Sequence, residues 1–146
     1  MNLTRHTDYG LRVLMVLAAA RERPDPKMST AEIAGLFDIS LHHLHKVVQG
    51  LQQGGFVHTS RGRGGGLTLA HPPAEVSVGA VVRALEPNLH VVECFGDGVC
   101  ALLPGCGLKG VLASAQDAFL SCLDEVSLAD ITQQNPAVRL LASGAV

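Results

Sequence analysis

Aromatic residues, cysteines and long apolar runs are all scarce in this sequence. Of its 146 residues, none is Trp, one is Tyr, four are Phe and four are Cys. Leu, Val and Ala must therefore fill most of the core, which a hydrophobic fraction of 47% allows without disulfide bonds. The longest apolar run, residues 13–20, is too short to span a bilayer. These shortages exclude a transmembrane helix and a small domain held together by disulfides.

Targeting and catalytic patterns are also missing. The opening residues, MNLTRHTDYG, do not have the basic and then apolar organisation of a signal peptide. We therefore expect a cytoplasmic protein with no membrane partner, in which cysteines stay reduced and bind metal or serve redox chemistry. No Ser/His/Asp set or pair of carboxylates typical of an enzyme is apparent, and RGRGGG matches neither nucleotide-loop spacing. The sequence predicts that the protein is not an enzyme.

Charge is distributed unevenly along the chain. Residues 1–63 contain eight Lys or Arg against five Asp or Glu, a balance of +3, and five of the seven histidines. Residues 64–146 contain three against eight, a balance of −5. An anionic partner is therefore expected to meet the first part of the chain.

Helix caps and apolar spacing predict a mainly α-helical chain with a small β-hairpin. Thr7 is expected to cap a first helix that runs to about Arg23, and Ser29 and Glu32 have the spacing of a capping box. Further helices are predicted after Ser40, after Ser77, from about Cys106 to Glu125, and over SLADIT. The segments FVHTS and LTLA flank a glycine-rich turn and predict the two strands. The tail is expected to fray.

This order of elements predicts a winged helix-turn-helix over residues 1–75. In that fold the second helix of the pair enters the major groove and the hairpin lies along a phosphate backbone. Glycines at the hairpin tip let the main chain approach phosphates closely. A solvated helix face and a plain flexible turn are the alternatives. The candidate DNA contacts of the helix and the hairpin tip are Ser40, His42, His43, Lys46, Arg61 and Arg63.

Three of the four cysteines, Cys94, Cys100 and Cys106, lie at equal spacings in the glycine-rich stretch CFGDGVCALLPGC. Structural zinc sites usually take closely paired ligands, and a disulfide would leave one thiol over. Thiolates also bind iron–sulfur clusters, and glycines leave backbone N–H groups free to face the sulfides. The spacing by itself predicts a metal–thiolate site in a DNA-binding protein.

The predicted long helix carries an apolar stripe, on which Cys122 is expected to be a core thiol. This face is expected to pack on the first helix, on a second copy of the chain in a two-fold dimer, or on both. Its members are Leu108, Val111, Leu112, Ala115, Phe119, Cys122 and Leu123.

Several segments together resemble the winged-helix family of iron–sulfur repressors. They are LTRHTDYGLRVLMVLA, IAGLFDISLHHLHKVVQGLQQGGFV, RGRGGGLTLA and the three spaced cysteines. The resemblance covers about residues 1–135. One branch of the family has a histidine ligand three residues after the third cysteine, where this chain has Lys109. The stretch RALEPNLHVVEC is instead similar to the branch that senses nitric oxide.

The resemblance implies a homodimeric repressor that binds a palindromic operator in double-stranded DNA. Residues 76–146 would form a cluster-binding loop and dimerisation helices. The implied cofactor is an iron–sulfur cluster, 4Fe–4S or alternatively 2Fe–2S, and the implied effector is nitric oxide. Alternatives from other classes are a zinc-stabilised or metal-free DNA-binding protein and an electron-transfer iron–sulfur protein.

The resemblance also implies the metal ligands. Cys94, Cys100 and Cys106 would bind the cluster, and Asp8 of the other subunit would be the fourth ligand. Asp8 could instead merely favour the positive end of its helix dipole. The rival fourth ligands near the cysteines are His90, Glu93 and Asp97.

Overall fold

The computed structural model describes residues 2–98, 100–103 and 105–143, and its architecture is mainly helical with an antiparallel hairpin. The helices and strands are α1 (Arg5–Ala20), α2 (Thr30–Phe37), α3 (Leu41–Gln53), β1 (Val57–Ser60), β2 (Gly66–Leu69), α4 (Val78–Leu85), α5 (Gly107–Asp124), α6 (Leu128–Gln133) and α7 (Pro136–Ser143). The predicted class, mainly α with a small hairpin, is confirmed. Over the described residues, no helix has both the length and the apolar character needed to cross a membrane.

Helix α1 begins earlier than the sequence predicts. Its N-cap is Thr4, whose side chain accepts a hydrogen bond from the backbone N–H of Thr7 at 3.3 Å. Thr7 lies inside the first turn with a fully buried side chain, so its prediction as the cap was wrong. The helix ends at Ala20 rather than near Arg23. Pro24 disfavours a helical conformation at Arg23, the residue before it.

The middle of α1 is the centre of the hydrophobic core. Val13, Leu14, Val16 and Leu17 are each at most 1% exposed. Helix α1 packs against α3, α4, α6 and α7. Because full burial of such a side chain stabilises the fold by about 1.5–3 kcal/mol, α1 fixes the positions of the helices around it.

Helix α7 occupies the segment that the sequence analysis assigned to a frayed tail, and that prediction was wrong. Pro136 stands at the first helical position, where its missing N–H costs nothing. The side chain of Asn135 accepts a hydrogen bond from the N–H of Ala137 at 3.1 Å. Val138 and Ala142 are buried against the core. Packing on α1 therefore orders this short helix, which local propensity alone would leave marginal.

Helix α5 packs on α4 mainly through its C-terminal half. Leu120 is buried together with Val78 and Val82 of α4. The guanidinium of Arg83 forms an ion pair with the carboxylate of Asp124, and its hydrogen bonds hold the pKa of Asp124 below the usual range. This end of α5 is thereby fixed to the rest of the chain.

The N-terminal half of α5 leaves its apolar side chains in solvent. Leu108 is 65% exposed and Val111 is 66% exposed. Cys122 is exposed as well, so its prediction as a core thiol was wrong. Its stripe neighbours Phe119 and Leu123 are partly buried against α4, while Cys122 lies at the edge of that contact. Within one chain, the apolar stripe is therefore only partly covered.

The packing of α7 can be tested with two substitutions on opposite faces of that helix. Val138→Asp should lower the free energy of unfolding by about 2–4 kcal/mol, because its carboxylate would be buried without a partner. Leu140 is 56% exposed, so Leu140→Asp should change that free energy by less than about 0.5 kcal/mol. Urea denaturation at one protein concentration measures both. Equal effects of the two substitutions would contradict the packing of α7 on α1.

Candidate DNA interface and cysteine loop

Helix α2 is capped at both of its ends, and its C-terminal cap begins the turn to α3. Ser29 and Glu32 form a capping box at the start of α2, and hydrogen bonds from the side chain and backbone of Ser29 hold the pKa of Glu32 below its usual range. Asp38 ends α2 in the left-handed conformation with φ of 51°. Ile39 follows with its side chain buried. These local signals set the angle at which α3 leaves α2.

Helix α3 separates a buried stripe from an exposed one. Leu44, Val47, Val48 and Leu51 are buried in the core. On the other side, the predicted DNA contacts His42 and Lys46 are exposed, and so is Ser40. Ser40 also caps the helix, since its hydroxyl oxygen accepts a hydrogen bond from the N–H of His43 at 3.3 Å. Helix α3 thus packs on the core along one face, and the other face of its first turns is exposed to solvent.

His43 has a second role in the structure. Its side chain is partly buried, and its ring lies edge-on to the ring of Tyr9, with 5.1 Å between centroids. Tyr9 belongs to the first turns of α1. His43 is therefore a contact between α3 and α1, and the helical spacing of α3 alone did not indicate this contact.

The hairpin carries both predicted arginines at its tip. Strands β1 and β2 pair from Val57 opposite Leu69 to Ser60 opposite Gly66. Arg61 and Arg63 are exposed in the connecting turn. Gly62 and Gly64 have φ of 92° and 78°, so the turn uses the backbone conformations that glycine allows. The N–H of Gly66 donates a hydrogen bond to the Ser60 hydroxyl at 3.1 Å and helps to hold this turn.

A further backbone contact joins the hairpin to the segment before α2. Leu67 donates its N–H to the carbonyl of Met28 at 2.8 Å, and Met28 donates its N–H to Leu67 at 3.2 Å. Both side chains are buried. The hairpin is therefore fixed relative to the helix-turn-helix, as a DNA-contacting wing requires.

The three spaced cysteines lie between α4 and α5. Cys94 and Cys106 are partly buried, Cys100 is exposed, and all are free thiols. Cys94 and Cys100 line the same open pocket of about 460 Å³. Cys106 is the N-cap residue of α5. The structure therefore brings two of the cysteines to one pocket and places the third at a helix terminus.

Asp8 lies in the first turn of α1 and forms an ion pair with Arg12. The distances are 3.1 Å from Arg12 Nε to Asp8 Oδ1 and 2.9 Å from Nη2 to Oδ2. The side chains of Arg12 and Asp8 are 48% and 45% exposed, so solvent screens the pair and it contributes only about 0.3–0.5 kcal/mol. Asp8 is thus accessible, and its present partner holds it weakly.

The rival ligands line another pocket. His90, Glu93 and Asp97 border an open space of about 650 Å³ beside the cysteine loop. His90 also packs edge-on against Phe95, with ring centroids 6.3 Å apart. Among the residues that the structure describes, no three His, Cys, Asp or Glu side chains are close enough to hold one metal ion. A single chain therefore does not gather either the predicted ligands or their rivals into one coordination sphere.

The donor chemistry of the loop nevertheless fits an iron–sulfur cluster. Three free thiols lie in one glycine-rich segment, and thiolate sulfur is the usual protein ligand to such clusters. A Cβ at Gly98 would clash with the backbone of Glu93, so the loop folds closely over the residue before Cys94. The ligand set would be Cys94, Cys100 and Cys106, with a fourth donor from outside the loop.

A set of polar contacts between α1 and the end of α4 was not predicted from the sequence. Glu86 accepts hydrogen bonds from Thr4 and Thr7 through its Oε2 atom. These residues are about 80 positions apart, and no spacing rule connects them. The threonines in LTRHT indicated only a helix cap.

Together, the capped helix pair, the exposed start of α3 and the fixed basic hairpin define a winged helix-turn-helix transcription regulator. The Rrf2 family, described as an iron-dependent transcriptional regulator, matches residues 3–134. The chain belongs to the Rrf2 family, and within that family it is similar to the regulators named NsrR.

Two relatives and one solved structure illustrate this similarity. The chain is 46% identical over 143 residues to the HTH-type transcriptional regulator NsrR of Geobacillus kaustophilus, covering 97% of this chain and 96% of the relative. It is 43% identical over 131 residues to the HTH-type transcriptional repressor NsrR of Streptomyces coelicolor, covering 90% and 88%. The structure of CymR, the global cysteine regulator of Bacillus subtilis, matches with a TM-score of 0.74 and 26% identity, covering 92% and 98%. The relatives are transcriptional regulators, in agreement with the expectation of a non-enzymatic protein.

Proposed function

We propose that this protein is a homodimeric repressor that senses nitric oxide through an iron–sulfur cluster and releases a palindromic operator in response. The proposal rests on the combination, in one chain, of a helix α3 whose outer face is exposed and of three free thiols in a single loop. Similarity to regulators named NsrR supports it. In this proposal residues 1–75 bind DNA, and residues 76–146 provide the cluster-binding loop and the dimerisation helices.

The proposed ligands are Cys94, Cys100 and Cys106 of one chain and the partner's Asp8. The cluster, 4Fe–4S with 2Fe–2S as the alternative, would supply an iron that nitric oxide can reach, because a carboxylate binds such iron more weakly than a thiolate does. Asp8 is suited to this role because its side chain is about half exposed and its ion pair is with the equally exposed Arg12. To bind iron, Asp8 has to leave Arg12, and a screened ion pair costs little to break.

Contacts around Arg12 connect Asp8 to the DNA-binding helices. The Arg12 guanidinium lies 6.0 Å from the ring centroid of Tyr9 and 5.8 Å from that of Phe37 in α2. Tyr9 in turn contacts His43 of α3. A change in the partner of Asp8 therefore alters the surroundings of both helices of the pair. A coupling free energy of about 1.4–2.8 kcal/mol is enough to change DNA affinity by about 10-fold to 100-fold.

The proposed dimer buries the exposed half of α5 against the same half of a second copy. Leu108 and Val111 supply the apolar surface, and a two-fold axis brings identical faces together. Such an axis also presents two α3 helices to successive major grooves, about 34 Å apart. The same dimer would let each chain lend its Asp8 to the other chain.

The ligand assignment can be tested by cysteine substitution. Cys94→Ser, Cys100→Ser and Cys106→Ser should each remove most of the iron and acid-labile sulfide from protein purified without oxygen, because a hydroxyl is a poor ligand to cluster iron. Cys122→Ser is the matched control and should retain the wild-type content, since this thiol lies on α5 outside the loop. Absorption and Mössbauer spectra before and after nitric oxide identify the cluster type. A colourless wild-type protein would reject the sensor function.

The role of Asp8 can be separated from that of its ion pair. Asp8→Ala removes both the carboxylate and the contact with Arg12, whereas Arg12→Ala removes only the contact. We expect Asp8→Ala to give a more labile cluster or an altered Mössbauer spectrum, and Arg12→Ala to keep the wild-type spectrum. Asp97→Ala tests a rival ligand in the same way. If the Asp8→Ala spectrum equals that of the wild type, another residue is the fourth ligand.

The wing can be tested through the salt dependence of DNA binding. Replacing Arg61 and Arg63 by Ala should weaken binding to all DNA sequences and reduce the slope of log K against log salt by about 0.9 for each lost phosphate contact. Arg139→Ala, on the exposed side of α7, is the control for loss of an exposed arginine outside the proposed interface and should leave the slope unchanged. An unaltered slope in the double variant would remove the arginines from the interface.

A further inference from the structure

Glu86 connects the end of α4 to the first turn of α1. Its Oε2 atom accepts hydrogen bonds from the Thr4 N–H at 3.1 Å, the Thr4 hydroxyl at 3.2 Å and the Thr7 hydroxyl at 2.5 Å. Glu86 is partly buried and Thr7 is fully buried. Hydrogen bonds to a carboxylate are stronger than those between neutral groups, and a negative charge is favoured at a helix N-terminus. Glu86 therefore holds the start of α1 in place.

Apolar packing accompanies these hydrogen bonds. The side chain of Leu85, the residue before Glu86, lies directly on Gly10 of α1, where a Cβ would clash with it. Leu85 is buried. The contact between α1 and the end of α4 is therefore apolar as well as polar.

Glu86 stands between the two parts of the proposed metal site. On one side, Thr7 is followed directly by Asp8. On the other side, Glu86 begins the segment that leads to the cysteines, and it lines the same pocket as Glu93 and Gly96, which flank Cys94 and its turn. One carboxylate thus contacts the turn that carries Asp8 and borders the loop that carries the thiols.

We infer that Glu86 is a positioning residue that couples the two metal sites of the dimer. This inference rests on the proposed function, in which each chain binds a cluster with its own cysteines and lends its Asp8 to the partner. A change in the loop of one chain passes through Glu86 to the Thr4–Thr7 turn of the same chain, and so to the Asp8 that serves the other site. The two sites of a dimer therefore respond to nitric oxide together.

The first test needs no metal. In protein without a cluster, Glu86→Gln should accelerate amide hydrogen exchange at Thr4, Thr7 and Asp8 by about 10-fold, because a charged acceptor is replaced by a neutral one. Thr7→Val removes the short hydrogen bond, keeps the side-chain shape in a buried position, and should have a similar effect. Glu125→Gln, which removes an exposed carboxylate just after α5, should leave this exchange unchanged. Unaltered exchange in Glu86→Gln would contradict the positioning role.

The second test measures cooperativity in the loaded dimer. Titration of the wild-type protein with nitric oxide should give a Hill coefficient that approaches about 2, the number of sites, for loss of cluster absorbance and for DNA release. Glu86→Gln and Thr7→Val should retain the cluster and lower the Hill coefficient to about 1, and Glu125→Gln should behave as the wild type. A merely structural role would lower stability without changing the Hill coefficient.

The outcomes separate this inference from the proposed function. A wild-type Hill coefficient of about 1, or an equal coefficient in wild type and Glu86→Gln, rejects the coupling and leaves the sensor intact. A wild-type protein that binds no cluster, or whose DNA binding ignores nitric oxide, rejects the proposed function before any variant is made.

Discussion

Burial of α1 is the constraint on which the rest of this structure depends. The middle of the helix is inaccessible to solvent, and α1 contacts helices from the middle of the chain, α3 and α4, and from its C-terminal part, α6 and α7. Its first turn remains partly exposed and carries Asp8. One rigid element therefore supports the recognition helix α3, the start of the cysteine loop and the proposed external ligand. A movement of α1 relative to α4 would displace α3, the start of the cysteine loop and Asp8, because close-packed interiors transmit displacement.

The cysteine loop has the opposite character. None of the residues described between 86 and 106 is fully buried. Segments with few buried apolar contacts unfold locally at a low cost in free energy. A metal that binds such a segment stabilises its ordered conformation by the free energy of binding. In the proposed function this contrast is useful, because the loop can change with its ligand while the core around α1 persists. Glu86 lies at the boundary between the core around α1 and the cysteine loop.

Sequence reasoning succeeded where local chemistry decides the outcome. The capping residues Ser29, Ser40, Ser77 and Ser127 each start a helix as their spacing predicts, because a cap needs only the next few backbone N–H groups. It failed where contacts between distant parts of the chain determine the local structure. The choice between Thr4 and Thr7 depends on Glu86, and α7 depends on the surface of α1. For the cysteine loop, the spacing predicts a donor set, which stays a prediction, and it does not indicate a position for each thiol.

The proposed site divides its ligands between two chains. Cys94, Cys100 and Cys106 belong to the loop of one chain. The proposed fourth ligand comes from another chain, and in its own chain Asp8 satisfies its charge with Arg12. In the proposed function, a complete site would therefore require two chains and bound iron at once. Dimer geometry and cluster integrity would then be one property, and a small molecule that acts on the cluster would release the repressor from both half-sites together.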